Sequence, residues 1–172
     1  MHGESLVASA AWALGEAGVT VVDLVTEWAE VVAAEAPFVL HDALCPLTPP
    51  AFVAECVQHS VDRSAVTVGV RPVTDTVKQL RDGRVGDTVD RTALLQVVSP
   101  VVLPAEVVAA LDGVPAHDFA ELVATLAERF PVVTLEAPAE ARRVADEADL
   151  RVLEALTGQR GQPGQSSSFM AG

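Results

Sequence analysis

Apolar positions recur at helical spacing from Glu4 to Ala17, where Leu6, Val7, Ala10, Ala11, Leu14 and Ala17 share a face and Gly18 follows as a terminating glycine. The period then changes. Val19 to Thr26 reads Val-Thr-Val-Val-Asp-Leu-Val-Thr, rich in β-branched residues, and suits a buried strand. Trp28 to Ala36 is ambiguous and fits a helical turn. Pro37-Phe38-Val39-Leu40 is a short apolar run ending at His41-Asp42, as a parallel strand does when it delivers polar residues at its C-terminal end. Pro49 and Pro50 stand where a helix starts, and Ala51 to Ser60 puts Phe52, Val53, Cys56 and Val57 on one face. Ala65 to Val73 reads as another buried strand.

Strands alternating with helices of about ten residues predict βαβ units and an α/β fold on a mainly parallel sheet. The rhythm breaks at Thr76 to Arg81 and Arg84 to Val89, which alternate around Asp82-Gly83, a hairpin turn signal. With few large apolar residues, this hairpin is expected to project from the body. Pro104 to Leu111 and Asp118 to Arg129 read as helices, Val132 to Leu135 as a strand, and Glu147 to Leu156 as a closing helix. From Thr157 the Gly-, Gln- and Ser-rich sequence predicts a disordered tail, so one domain over residues 1–156 is expected.

Composition narrows the function classes. The 172 residues are half apolar, mostly Ala and Val, which is enough for one compact core. No apolar run reaches membrane-spanning length, and the start Met1-His2-Gly3-Glu4-Ser5 lacks a signal peptide's basic region. Cys45 and Cys56 make neither a disulfide framework nor a paired metal motif, and His2, His41, His59 and His117 show no ligand spacing. A reduced cytoplasmic setting is the plain reading. A net charge of −13 argues against nucleic acid or an anionic membrane as partner. Its distribution says more: no Lys or Arg precedes Arg63, so a triphosphate site there would have no cation of its own.

Three segments carry a resemblance: Val39-Leu40-His41-Asp42-Ala43, Pro72 to Lys78, and Thr88-Val89-Asp90-Arg91. Together they resemble the 2-C-methyl-D-erythritol 4-phosphate cytidylyltransferases of the non-mevalonate isoprenoid pathway. The resemblance covers roughly residues 3 to 156. It implies a three-layer α/β sandwich with a projecting β-arm, residues 74–91, that reaches to a second subunit. The family's opening strand and its Gly-rich, Lys- and Arg-bearing loop that cradles CTP would lie before Met1, leaving the sheet without its first strand. A second cytidine-holding segment should fall between Glu27 and Pro37, yet these residues hold no glycine and no Arg.

The resemblance also assigns roles. The His-Asp-Ala-Ala-Arg-Pro signature stands as His41-Asp42-Ala43-Leu44-Cys45-Pro46, which makes Asp42 the carboxylate beside the metal and the substrate phosphate and puts a thiol where the family has a cation. Arg91 matches the Arg that contacts methylerythritol phosphate, Ser99 stands for a Thr with the same duty, and Thr74 opens the arm as a further substrate-side residue. Ala141 to Ala145 aligns with an Asn-Ile-Lys-Ile-Thr motif, so Arg143 takes the position of the catalytic Lys. Arg is not a neutral swap for Lys at a reacting phosphate.

Losing one preorganised donor typically costs roughly a hundred- to a thousandfold in rate. The expectation is therefore a binding or dimerisation module without CTP-dependent turnover. It would be a homodimer through the arm cations Lys78, Arg81, Arg84 and Arg91, or a heterodimer with an intact relative. An active cytidylyltransferase with its loop upstream of the assigned start is the alternative; Mg²⁺ would then be its metal, and no resident cofactor is otherwise implied.

Overall fold

The computed structural model describes residues 5–23 and 25–158. In chain order these form α1 (Leu6–Glu16), α2 (Trp28–Ala33), β1 (Phe38–Leu40), α3 (Pro50–Arg63), β2 (Val66–Pro72), β3 (Val77–Arg81), β4 (Arg84–Val89), β5 (Leu95–Leu103), α4 (Ala105–Ala109), α5 (Phe119–Ala127), β6 (Val132–Glu136) and α6 (Glu147–Gly158). Single 3-10 turns sit at Arg91–Ala93 and Ala139–Ala141.

Four strands make the main sheet in the order β1-β5-β2-β6. β2 runs parallel to β6, while β5 runs antiparallel to both of its neighbours, β1 and β2. Three of these four strands therefore point one way and β5 is reversed, a mainly parallel sheet whose odd strand lies inside it. Alternation along the strands sorts side chains to two faces. Val66, Val68, Val70, Val101 and Leu103 pack with Val107, Val108, Leu122 and Leu126 of α4 and α5. Val98 and Val102 pack on the opposite face with Phe52 and Cys56 of α3 and with Ala141. Helices on both faces give the three layers that the resemblance implied.

Local chemistry explains several boundaries. The Ser5 hydroxyl accepts the Ala8 N–H at 3.1 Å and starts α1, and Gly18 follows its end at φ +79°, where a side chain would be strained. Asp82 and Gly83 both have positive φ, the requirement of the tight turn joining β3 to β4. That hairpin forms a two-stranded sheet of its own, and Leu80 and Val85 lie 72% and 73% exposed on it. It projects, as expected.

Two expectations need correction. The described residues of the run Val19 to Thr26 belong to neither sheet. Asp23 Oδ1 accepts the N–H groups of Val25 and Thr26 at 3.0 and 3.1 Å, which turns the chain locally, and no strand among the described residues offers it a ladder. Conversely, β5 is absent from the expected elements, because Pro100 interrupts its apolar run and proline is confined to edges and bulges. The sheet supplies the bulge: Val68 faces Val101 and Val70 faces Val97, so residues 98–100 of β5 stand opposite the single residue Gly69. A Cβ on Gly69 would lie 3.2 Å from the Ser99 carbonyl oxygen and 3.3 Å from Phe52 Cε1, so glycine permits this approach. The closing helix runs to Gly158, two residues into the expected tail, and the rest of that tail lies outside the described residues, as do Glu4 and Leu24. Among the described residues, no helix is long and apolar enough to cross a membrane.

Candidate functional site

β1 ends at Leu40 and presents His41 and Asp42 beyond its C-terminal end, the place where open α/β sheets receive ligands. There they border a cleft of about 700 Å³, shared with the first half of β5, the start of α5 and Arg143. Asp42 is bonded on every side. Its N–H donates to Ser99 Oγ at 2.8 Å, and its Oδ1 accepts the Leu44 N–H at 2.8 Å. Its Oδ2 accepts from Arg143 Nε, also at 2.8 Å. That contact raises the Arg143 pKa further, and the guanidinium remains half exposed. The two Nη groups of Arg143 have no protein partner among the described residues, so they can receive an anion. Arg142 turns the other way and pairs with Asp149 at 2.6 Å.

Behind this ion pair lies a buried layer. Ser99 Oγ also meets His41 Nδ1 at 2.8 Å, and burial lowers the His41 pKa, with its hydrogen bond to the Cys45 backbone and the Asp42 charge opposing. The ring is thus neutral at pH 7. Burial pushes the Cys45 thiol up to about 11, so the residue at the family's Arg position offers the cleft no charge.

The structure brings Asp42, Ser99 and Arg143 together across 101 residues of chain. It does not bring Arg91 and Thr74 there. Arg91 Nη1 donates to the Thr74 carbonyl and closes the base of the arm, and both residues are exposed. Asp42 offers Mg²⁺ one carboxylate with both oxygens engaged. No group of three or more His, Cys, Asp or Glu side chains able to hold a metal occurs among the described residues, so this donor set does not fit the ion.

Two residues that sequence reasoning passed over also line the cleft. His117 and Asp118 stand at the start of α5, where Asp118 Oδ1 caps Ala120 and Glu121 at 3.0 Å. A capping Asp before an apolar run was the available signal.

With this geometry in view, residues 2–159 match the family model described as IspD: 2-C-methyl-D-erythritol 4-phosphate cytidylyltransferase. The chain is 37% identical over 121 residues to the enzyme of that name from Frankia casuarinae, covering 68% of this chain and 45% of the relative. It is 37% identical over 126 residues to the one from Nocardia farcinica, covering 72% and 54%. The chain thus spans about half the length of the curated relatives it matches. Among solved structures, the Thermus thermophilus enzyme of the same name superposes with a TM-score of 0.59 at 28% identity, over 76% of this chain and 67% of that one.

Proposed function

The chain belongs to the 2-C-methyl-D-erythritol 4-phosphate cytidylyltransferase family, and on that premise we propose that it is a binding and dimerisation module that takes a polyol phosphate in its cleft without turning over CTP by itself. The observation that carries this reading is the Arg143–Asp42 pair. Arg143 neutralises the carboxylate expected beside a metal, and its free Nη groups offer a phosphate a forked donor. Nucleotidyl transfer needs added cations and aimed amides around the α-phosphoryl group. Cys45 supplies no charge, and residues 27–37 contain no Arg or Gly. On this reading Arg91 and Thr74, at the base of the arm, act at a second subunit's cleft instead.

Calorimetric titration with methylerythritol phosphate, run beside CTP with Mg²⁺, tests this. The polyol phosphate should bind, Arg143→Ala should weaken it about tenfold or more, and CTP should bind no tighter than about millimolar, roughly −4 kcal/mol. A micromolar dissociation constant for CTP, or methylerythritol cytidine diphosphate formed with release of pyrophosphate in the presence of excess protein, overturns the reading.

The arm is the proposed contact to a second copy or to an intact relative. A two-stranded ribbon is marginal alone, and this one leaves both outer edges unpaired. Lys78, Arg81, Arg84 and Arg91 are balanced there by Asp75, Asp82, Asp87 and Asp90, so the arm is neutral on a chain of net charge −13. It can meet an acidic body without repulsion, and salt should weaken the contact only modestly. Sedimentation of the wild type should show a dimer, and replacing residues 77–89 by a short Gly-Ser turn should give a monomer. A dimer indifferent to that replacement rules the arm out.

A further inference from the structure

Ser99 sits where the ladder between β1 and β5 stops. Phe38, Val39 and Leu40 face Leu103, Val102 and Val101, so the same register carried two residues further sets Asp42 opposite Ser99. Pro100 has no N–H to continue the ladder. The Asp42 N–H donates instead to Ser99 Oγ, a side-chain bond standing in for a main-chain one.

The serine hydroxyl has one proton to give and two lone pairs. One lone pair takes the Asp42 N–H, and the remaining contact is His41 Nδ1. If Nδ1 carried a hydrogen, it would donate to Oγ, and the Ser99 proton would be stranded in a residue with no exposed surface. If Nδ1 is bare, Ser99 donates to the ring and accepts from the backbone, and both contacts of the hydroxyl are matched. The ring hydrogen then sits on Nε2, which is buried and has no partner in good hydrogen-bond geometry, the Cys45 backbone being a further polar neighbour of the ring, so Nδ1 carries the ring's side-chain hydrogen bond.

We propose that Ser99 and His41 form a positioning pair for Asp42, with His41 held as the Nε2–H tautomer and its Nδ1 accepting from Ser99 Oγ. The pair fixes the Asp42 main chain. Asp42 Oδ1 is then set by Leu44, and Oδ2 sets Arg143. Asp42 and Arg143 both hang from a hydroxyl that is itself buried, and this moves Ser99 from ligand contact to support. The inference does not rest on the polyol phosphate reading, because its test is made on the ligand-free protein.

The test uses the ¹⁵N-labelled full chain. A long-range ¹H–¹⁵N spectrum should show His41 Nδ1 as an unprotonated acceptor and Nε2 as protonated. Ser99→Ala should speed hydrogen exchange at the Asp42 amide about five- to tenfold, the loss of one hydrogen bond. It should also shift the Arg143 Nε–H resonance and leave the Val68 and Leu122 amides near their wild-type rates. Ser99→Thr, which keeps the hydroxyl, should restore both signals. A wild-type ring protonated on Nδ1 overturns the proposal without any variant, as does a folded Ser99→Ala protein whose Asp42 and Arg143 signals match the wild type.

Discussion

The tripeptide Val-Thr-Val occurs twice, at residues 19–21 and at residues 66–68, with opposite outcomes. Val66-Thr67-Val68 is fully buried in β2, paired with β5 on one side and β6 on the other. Val19-Thr20-Val21 lies outside both sheets, and a few residues on Val25 is 81% exposed. Intrinsic preference cannot separate the two. What differs is the neighbourhood: β2 has a ladder on each edge and helices over both faces, whereas Val19-Thr20-Val21 pairs with no strand among the described residues and the chain turns at Asp23 just after it. Strand propensity describes a side chain's fit to a pleated, covered surface, and without that surface it decides nothing.

The sharpest way to break this comparison is to place a carboxylate in each copy. Val68→Asp buries an unpaired charge between two strands and should abolish the cooperative unfolding transition. Val21→Asp, at an exposed position, should change stability by no more than about 0.5 kcal/mol in urea melts. Equal effects would mean that the first run is as structured as the second. A smaller effect is expected at the bulge beside Val68. Gly69→Val forces a side chain against the Ser99 carbonyl and Phe52 and should cost roughly 1–3 kcal/mol, read in the same melts.

The smallest effect concerns reactivity. Burial pushes Cys45 up to about 11 and Cys56 up to about 12. Raised values mean less thiolate at any given pH, so the native protein should resist alkylation at pH 8 and react at both thiols once denatured. Val68→Ala should hasten native-state labelling of Cys56 as stability falls, and Val21→Ala should leave it unchanged. Labelling of the native wild type as fast as that of the denatured chain would show that the helix layer over the sheet opens freely.

Much of the fold was legible because its signals are local. Gly18 after α1, the two prolines at the start of α3 and Asp82-Gly83 in the hairpin each act through their own backbone geometry. β5 was not legible, since Pro100 argues against an interior strand unless the partner makes room, and the room comes from Gly69, thirty-one residues earlier. The site divides in the same way. Asp42 could be placed at a strand end from its own sequence, and the resemblance pointed to Ser99 and Arg143. That Ser99 would spend its hydroxyl on His41 and the Asp42 backbone depends on a register shift that no pattern in the sequence reports. Likewise Arg91 turns back to Thr74, a closure that spacing alone does not reveal.

β5 is also a connecting element. It leaves the base of the arm at Leu95, carries Ser99 at its middle and is anchored at Leu103 in the core. An extended strand spans close to the greatest length its residues allow. Arg91, which ties the arm shut, is followed eight residues later by Ser99, which holds Asp42, and a 3-10 turn leads straight into the strand between them. The arm and the cleft are therefore joined by one continuous strand, with residues 95–98 as the link between them.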